Sequence, residues 1–250
     1  MVASHAQHHH ARLSKLAQHL SAAPTAAAAI IDSGAVVLFQ GDSITDAGRS
    51  RESQSANSQM GQGYAMMISA RLLTERPADG LQCYNRGVGG DRIVNVFART
   101  ADNCPDGHIP DVISLLVGVN DTTDRGSPNS NPNGVPLPKF ETVYRLYLEE
   151  MRQSNPAVQF VLCHPFVLDC GNINATGYAS WRADIDARRT IVDKLAAEFG
   201  AVAVVDFQSM FDEAVKTAPP EFWGADGVHP SHAGHMLMAE TWLEAVVGKV

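Results

Sequence analysis

Cysteine is scarce in this chain. Cys83, Cys104, Cys163 and Cys170 are the only four in 250 residues, and no two stand in CxxC spacing. A disulfide scaffold is therefore excluded, and reduced thiols are expected, because a chain of this length needs no bridges for stability. Positive charge is also short, with 19 Lys and Arg against 27 Asp and Glu and a formal charge of -8. Nothing gathers Lys and Arg into a stripe that could neutralise phosphates, so a nucleic-acid partner is not expected and a neutral or weakly charged small substrate suits the chain better. Long apolar runs are missing too. The small-residue run from Ala22 to Ala29 contains Pro24 and is too short and weakly apolar for a signal-peptide core. Nothing later approaches a membrane span, so no membrane partner is expected and the reading is cytoplasmic.

What remains is an ordinary globular composition, 45% hydrophobic and 18% charged. One α/β domain over 31–250 is expected, preceded by a His- and Ala-rich extension over 1–30 that includes His5, His8, His9 and His10. The extension reads as an exposed terminal segment without a functional role. Short apolar runs bounded by turn residues fall at Val36–Gln40, Gln82–Asn85, Val112–Val117, Val158–His164 and Ala201–Val205, as buried strands do. Helical periodicity separates them, over Tyr64–Thr74, Arg92–Thr100, Phe140–Gln153, Ser180–Phe199, Phe207–Lys216 and Ser231–Val247. That alternation predicts a three-layer αβα sandwich around a five-stranded parallel sheet. In such sheets ligands bind beyond the carboxyl ends of the strands, so chemistry is expected just after each run. The stretch Thr122–Pro138 is rich in Pro, Asn, Ser and Gly and reads as a long loop over that rim.

Four turns meet the expectation. After the first strand comes Gly41-Asp42-Ser43-Ile44-Thr45-Asp46, which sets a serine hydroxyl where a sheet presents groups to a ligand; serine there is a helix cap or a nucleophile. After the second comes Asn85-Arg86-Gly87-Val88-Gly89-Gly90-Asp91, whose glycines let a backbone N–H approach a ligand oxygen. A dinucleotide loop is excluded because Arg92 stands where the third glycine of GxGxxG belongs. After the third comes Gly118-Val119-Asn120-Asp121, with an amide donor or a plain turn former at Asn120. Near the C-terminus, Asp226-Gly227-Val228-His229 sets a carboxylate three residues before an imidazole, close enough to fold back and fix its tautomer. His229, His232 and His235 also suggest a metal site, but Pro230 interrupts any helix joining them, and no metal is expected. Asp42, Asp46 and Asp91 read as turn and cap residues.

These blocks together resemble the SGNH hydrolases, also called GDSL esterases, from about Val36 to the C-terminus. The resemblance implies the flavodoxin-like fold of that superfamily, and a serine esterase without a cofactor. It implies Ser43 as nucleophile, His229 as general base and Asp226 as its partner. It also implies an oxyanion hole from the Ser43 and Gly90 N–H groups and the Asn120 amide. Many relatives carry serine where this chain has Gly89, so either glycine can be the donor; Gly90 is preferred because it directly precedes Asp91.

The stretches Gly41–Arg49, Gly61-Gln62-Gly63-Tyr64 and Asp226–Met236 are similar to intracellular bacterial acetylxylan esterases. That similarity implies cleavage of short acyl, above all acetyl, esters of carbohydrate such as xylo-oligosaccharides, and a homo-oligomer, which a solution mass equal to one chain would refute. Trp223 either walls the site or packs in the core, and the same two readings apply to Phe166 and Trp181. Thioesterase or lysophospholipase activity is the alternative among enzymes, and a non-catalytic carbohydrate-binding protein the alternative outside them.

Overall fold

The computed structural model describes residues 30–52, 56–103, 107–125 and 131–248. The N-terminal extension, but for its last residue, and Cys104 lie outside the described residues. Five strands form one parallel sheet: β1 (Val36–Gly41), β2 (Gln82–Asn85), β3 (Val112–Leu116), β4 (Gln159–Cys163) and β5 (Ala203–Val205), in the order β2-β1-β3-β4-β5. The central strands β1 and β3 are buried along their whole length. They are therefore covered on both faces and read as continuous apolar runs.

The period of two splits each strand between two cores. Val37 and Phe39 of β1 face a core built with α3 (Tyr64–Glu75), α8 (Phe207–Ala214) and α10 (His232–Val247). Leu38 faces the opposite core, shared with α4 (Ile93–Ala98), α5 (Leu137–Ser154) and α7 (Tyr178–Phe199). One buried polar position interrupts the pattern on β3. Ser114 accepts a hydrogen bond from the indole N–H of Trp242 on α10 at 2.9 Å, which satisfies both groups.

The expected elements are all present, with shifted ends. The first 3 residues gained by α5 include Pro138 in its first turn, where a missing N–H is harmless, so the expected loop closes at Pro136. The expected helix Arg92–Thr100 stops at Ala98 and continues as a 3-10 turn over Thr100–Asn103. The fifth strand starts later than its apolar run because the Ala201 N–H binds the Ala196 carbonyl at the end of α7. Four short helices were not anticipated: α1 (Ser43–Asp46), α2 (Ala56–Gln59), α6 (Gly171–Thr176) and α9 (Pro220–Trp223). Elements of four to six residues are too short to carry a helical period. No helix among the described residues is long and apolar enough to cross a membrane.

Candidate active site

The rim at the carboxyl ends of β1, β2 and β3 is built by close backbone approach. A Cβ on Gly41 would lie 2.2 Å from the Leu116 carbonyl oxygen, so only glycine lets β1 and β3 end this near each other. Asp42 then caps α1, its Oδ1 accepting from the Ile44 N–H at 3.0 Å. Ser43 is the first residue of that helix, and its N–H has no acceptor among the described residues. The helix ends after one turn at Ala47, whose φ of 43° makes it the one non-glycine residue in the left-handed region among those described. Strain of this kind persists where the surroundings enforce it. Here the Ala47 N–H binds the Ser43 carbonyl, and the Ala47 methyl packs beside Gly63. Below the turn, Thr45 and Tyr64 share a buried hydroxyl hydrogen bond at 2.9 Å.

His229 reaches Ser43 from the loop before α10. Its Nε2 stands 2.7 Å from Ser43 Oγ, and its Nδ1 stands 2.6 Å from Asp226 Oδ2. Asp226 Oδ1 meanwhile accepts the backbone N–H groups of Val228 and His229 at 2.9 and 2.7 Å. One carboxylate thus folds the turn and orients the ring. Partial burial opposes ionisation of Asp226, but these hydrogen bonds from His229 and Val228 outweigh it and hold the carboxyl below its usual range. The His229 side chain is 52% exposed, so the site opens directly to solvent.

The expected oxyanion donors stand on the turns that follow β1, β2 and β3. Gly89 sits against Ser43, since a Cβ added to it would come within 3.9 Å of the serine Cβ. Its N–H is already committed to Asp46 Oδ2 at 3.1 Å, whereas the N–H of Gly90, at φ 81°, has no acceptor among the described residues. Of the two glycines, Gly90 is the one with a free donor. Asn120 directs one amide hydrogen to the Asp91 carbonyl at 3.1 Å, which leaves its second hydrogen available.

Several neighbours have structural roles. Asp46 and Asp91 brace turns, as expected, through Gly89 and through an ion pair with Arg99. Asp42 is also the expected cap, yet its Oδ2 is buried without a partner. Burial pushes its carboxyl up to about 7 against the pull of the Ile44 N–H, with Asp121 adding to the rise. His235 is buried, stacks on Tyr64 and accepts the Tyr64 N–H at Nδ1, while burial holds its imidazole down to about 4. No group of three or more His, Cys, Asp or Glu side chains able to hold a metal is found among the described residues.

Trp223 is half-buried against the core, and its indole N–H binds the Ala214 and Ala218 carbonyls at 3.1 and 3.3 Å. Phe166 and Trp181 are buried, so packing is their role. The thiols of Cys163 and Cys170 are pushed up by burial to about 12 and 11, unsuited to a thiolate nucleophile. Sequence reasoning missed two side-chain supports of the glycine turn, Asp46 on Gly89 and Arg99 on Asp91. Neither pairing has a motif; only the fold brings these residues together.

Comparison with known proteins shows the family. Residues 39–237 match the GDSL-like lipase/acylhydrolase family. An acetylxylan esterase of Geobacillus stearothermophilus is 32% identical over 219 residues, covering 86% of this chain and 95% of that protein. The solved structure of a variant of the acetyl xylan esterase Axe2 from the same organism superposes with a TM-score of 0.75 at 30% identity, covering 88% of this chain and 98% of that one. A GDSL-like lipase candidate from Parabacteroides merdae superposes at 0.78 with 38% identity, over 88% of this chain and 98% of its own.

Proposed function

The chain belongs to the GDSL-like lipase/acylhydrolase family and is a carboxylic ester hydrolase, and we propose that it removes short acyl groups, acetyl above all, from carbohydrate such as xylo-oligosaccharides. The observation that carries the mechanism is the continuous chain of bonds from Ser43 Oγ through the His229 ring to Asp226, at 2.7 and 2.6 Å.

In this mechanism Ser43 Oγ attacks the ester carbonyl as His229 Nε2 takes its proton. Asp226 stabilises the resulting imidazolium without taking the proton. The carbonyl oxygen becomes an oxyanion and is received by the N–H groups of Ser43 and Gly90 and the free amide hydrogen of Asn120. Collapse of the tetrahedral intermediate breaks the C–O bond, and His229 returns its proton to the leaving alcohol. A water activated by the same nitrogen then releases the acid and restores Ser43.

Two observations support a sugar alcohol and a small acyl group. The exposed His229 leaves room for a bulky polar alcohol, and a relative that matches most of the chain is an acetylxylan esterase. The test compares aryl esters from acetyl to long-chain acyl, with Ser43→Ala as the blank, followed by acetylated xylo-oligosaccharides. Expected are fast acetyl cleavage, decline with chain length and loss of activity in the variant. A long-chain optimum moves the assignment to a lysophospholipase or thioesterase, and activity surviving in Ser43→Ala overturns the nucleophile.

A further inference from the structure

We propose that Arg99 is the positioning residue of the oxyanion side, a clamp that sets where the Gly90 and Asn120 donors stand relative to Ser43. The inference rests on the assignment of those donors given above.

Arg99 follows α4, and only 16% of its side chain is exposed. Its guanidinium makes four bonds. Nε donates to Asp91 Oδ2 at 2.6 Å, Nη1 to the Arg86 carbonyl at 2.7 Å, and Nη2 to Gln40 Oε1 at 2.7 Å and the Gly41 carbonyl at 3.2 Å. These acceptors belong to two separate segments. Gln40 and Gly41 end β1 and lead directly into Asp42 and Ser43. Arg86 opens the glycine turn after β2, and Asp91 closes it. One rigid planar fork therefore fixes the start and the end of the glycine turn against the strand that delivers the nucleophile.

Asp91 relays that grip. Its carboxylate is held by Arg99, while its carbonyl accepts the Asn120 amide at 3.1 Å. Moving Asp91 moves the carbonyl that orients the Asn120 amide, and through the Gly90–Asp91 peptide it moves the Gly90 residue whose N–H is the donor. Gly90 itself has no side chain to hold it, and both Gly89 and Gly90 are exposed. The turn is secured on one side by Asp46 at the Gly89 N–H and on the other by Arg99 at Asp91. A free glycine pair would sample many orientations. The clamp supplies donors already aimed before charge develops, which is where electrostatic preorganisation is made or lost.

Removing the clamp leaves every donor chemically present but displaced. The loss should be smaller than deletion of a donor, about tenfold to a hundredfold in kcat, because misplacement by about 1 Å has costs of this order. KM for a small aryl acetate should stay within about threefold, since ground-state binding does not use the oxyanion contacts.

The experiment measures kcat and KM for Arg99→Ala, Arg99→Lys and Asp91→Asn on an aryl acetate. It also measures the rate at which an aryl phosphonate modifies Ser43, a reaction that needs the same oxyanion donors. Expected are falls in kcat and phosphonylation rate that move together, with KM nearly constant. Partial recovery of Arg99→Ala in added guanidinium and an intermediate Arg99→Lys are also expected. If Arg99→Ala does not fold, Asp91→Asn carries the test, because it keeps Arg99 and its carbonyl bonds while removing the ion pair. Near-normal kcat in the folded variants, or a loss expressed in KM with phosphonylation unchanged, overturns the proposal. Activity persisting in Ser43→Ala instead overturns the site assignment on which it rests.

Discussion

At the scale of single residues, Asn120 has a side chain with two amide hydrogens, only one of which is taken up by structure. One holds the Asp91 carbonyl, and the other has no acceptor among the described residues and is the donor proposed above for the oxyanion. Asn120→Ala removes both, so kcat on an aryl acetate should fall about a hundredfold to a thousandfold, the range typical of a lost oxyanion donor. Retention of near-normal turnover would remove Asn120 from the oxyanion hole. The serine, histidine and aspartate were legible in the sequence because each stands in a short block whose spacing is itself the geometry: Asp226 reaches His229 across three residues. The choice between Gly89 and Gly90 was less legible. Adjacency to Asp91 pointed to Gly90; the bond that occupies the Gly89 N–H, to Asp46, is encoded in no local pattern. Trp223 shows the same limit, since only the fold places the Ala214 and Ala218 carbonyls at its indole N–H.

At the scale of elements, the sequence segment Gly61-Gln62-Gly63-Tyr64 has its explanation in how α3 meets α1. A Cβ at Gly63 would lie 2.7 Å from the Ala47 Cβ and 2.9 Å from His235 Cε1. Gly63→Ala must therefore push α3, the strained Ala47 turn or α10 out of place. Overpacking of this kind typically costs about 1 to 3 kcal/mol. The urea midpoint should fall accordingly, and turnover should fall with it because Ala47 closes the turn that carries Ser43. An unchanged midpoint would mean that these contacts yield freely. Strands and long helices were readable because burial imposes a period on many residues at once. The helices α1, α6 and α9 were not, since a single turn held by caps and tertiary contacts leaves no periodic trace.

At the scale of the whole molecule, the sheet order places β1 between β2 and β3, so three turns of the site converge from adjacent strands while the histidine loop arrives from the C-terminal end of the chain. The alternation of strands and helices made this rim predictable. The distribution of buried ionisable groups was not, and it sets the response to pH. Asp42 and Asp121 are both pushed up to about 7 by burial, so the native state holds their protons at a pH where the unfolded chain has released them. Their contribution is fully present below the ordinary carboxylate range and is lost as pH rises toward about 7. His235 acts in the opposite sense. Its imidazole, held down to about 4, stays neutral in the native state where the unfolded chain takes up a proton, so its contribution is lost as pH falls from about 6.5 toward 4. The two effects oppose each other across one window. Asp42→Asn keeps a capping oxygen for Ile44 and removes the ionisable group, so its thermal midpoint should exceed that of the wild type by a margin that opens above about pH 4, grows through pH 5 and levels off above about pH 7. His235→Gln keeps an acceptor for the Tyr64 N–H and should lose less stability than the wild type between pH 7 and pH 4.5. Thermal unfolding of the three proteins across that range decides the matter, because two variants with the wild-type slope would place the titrating groups elsewhere.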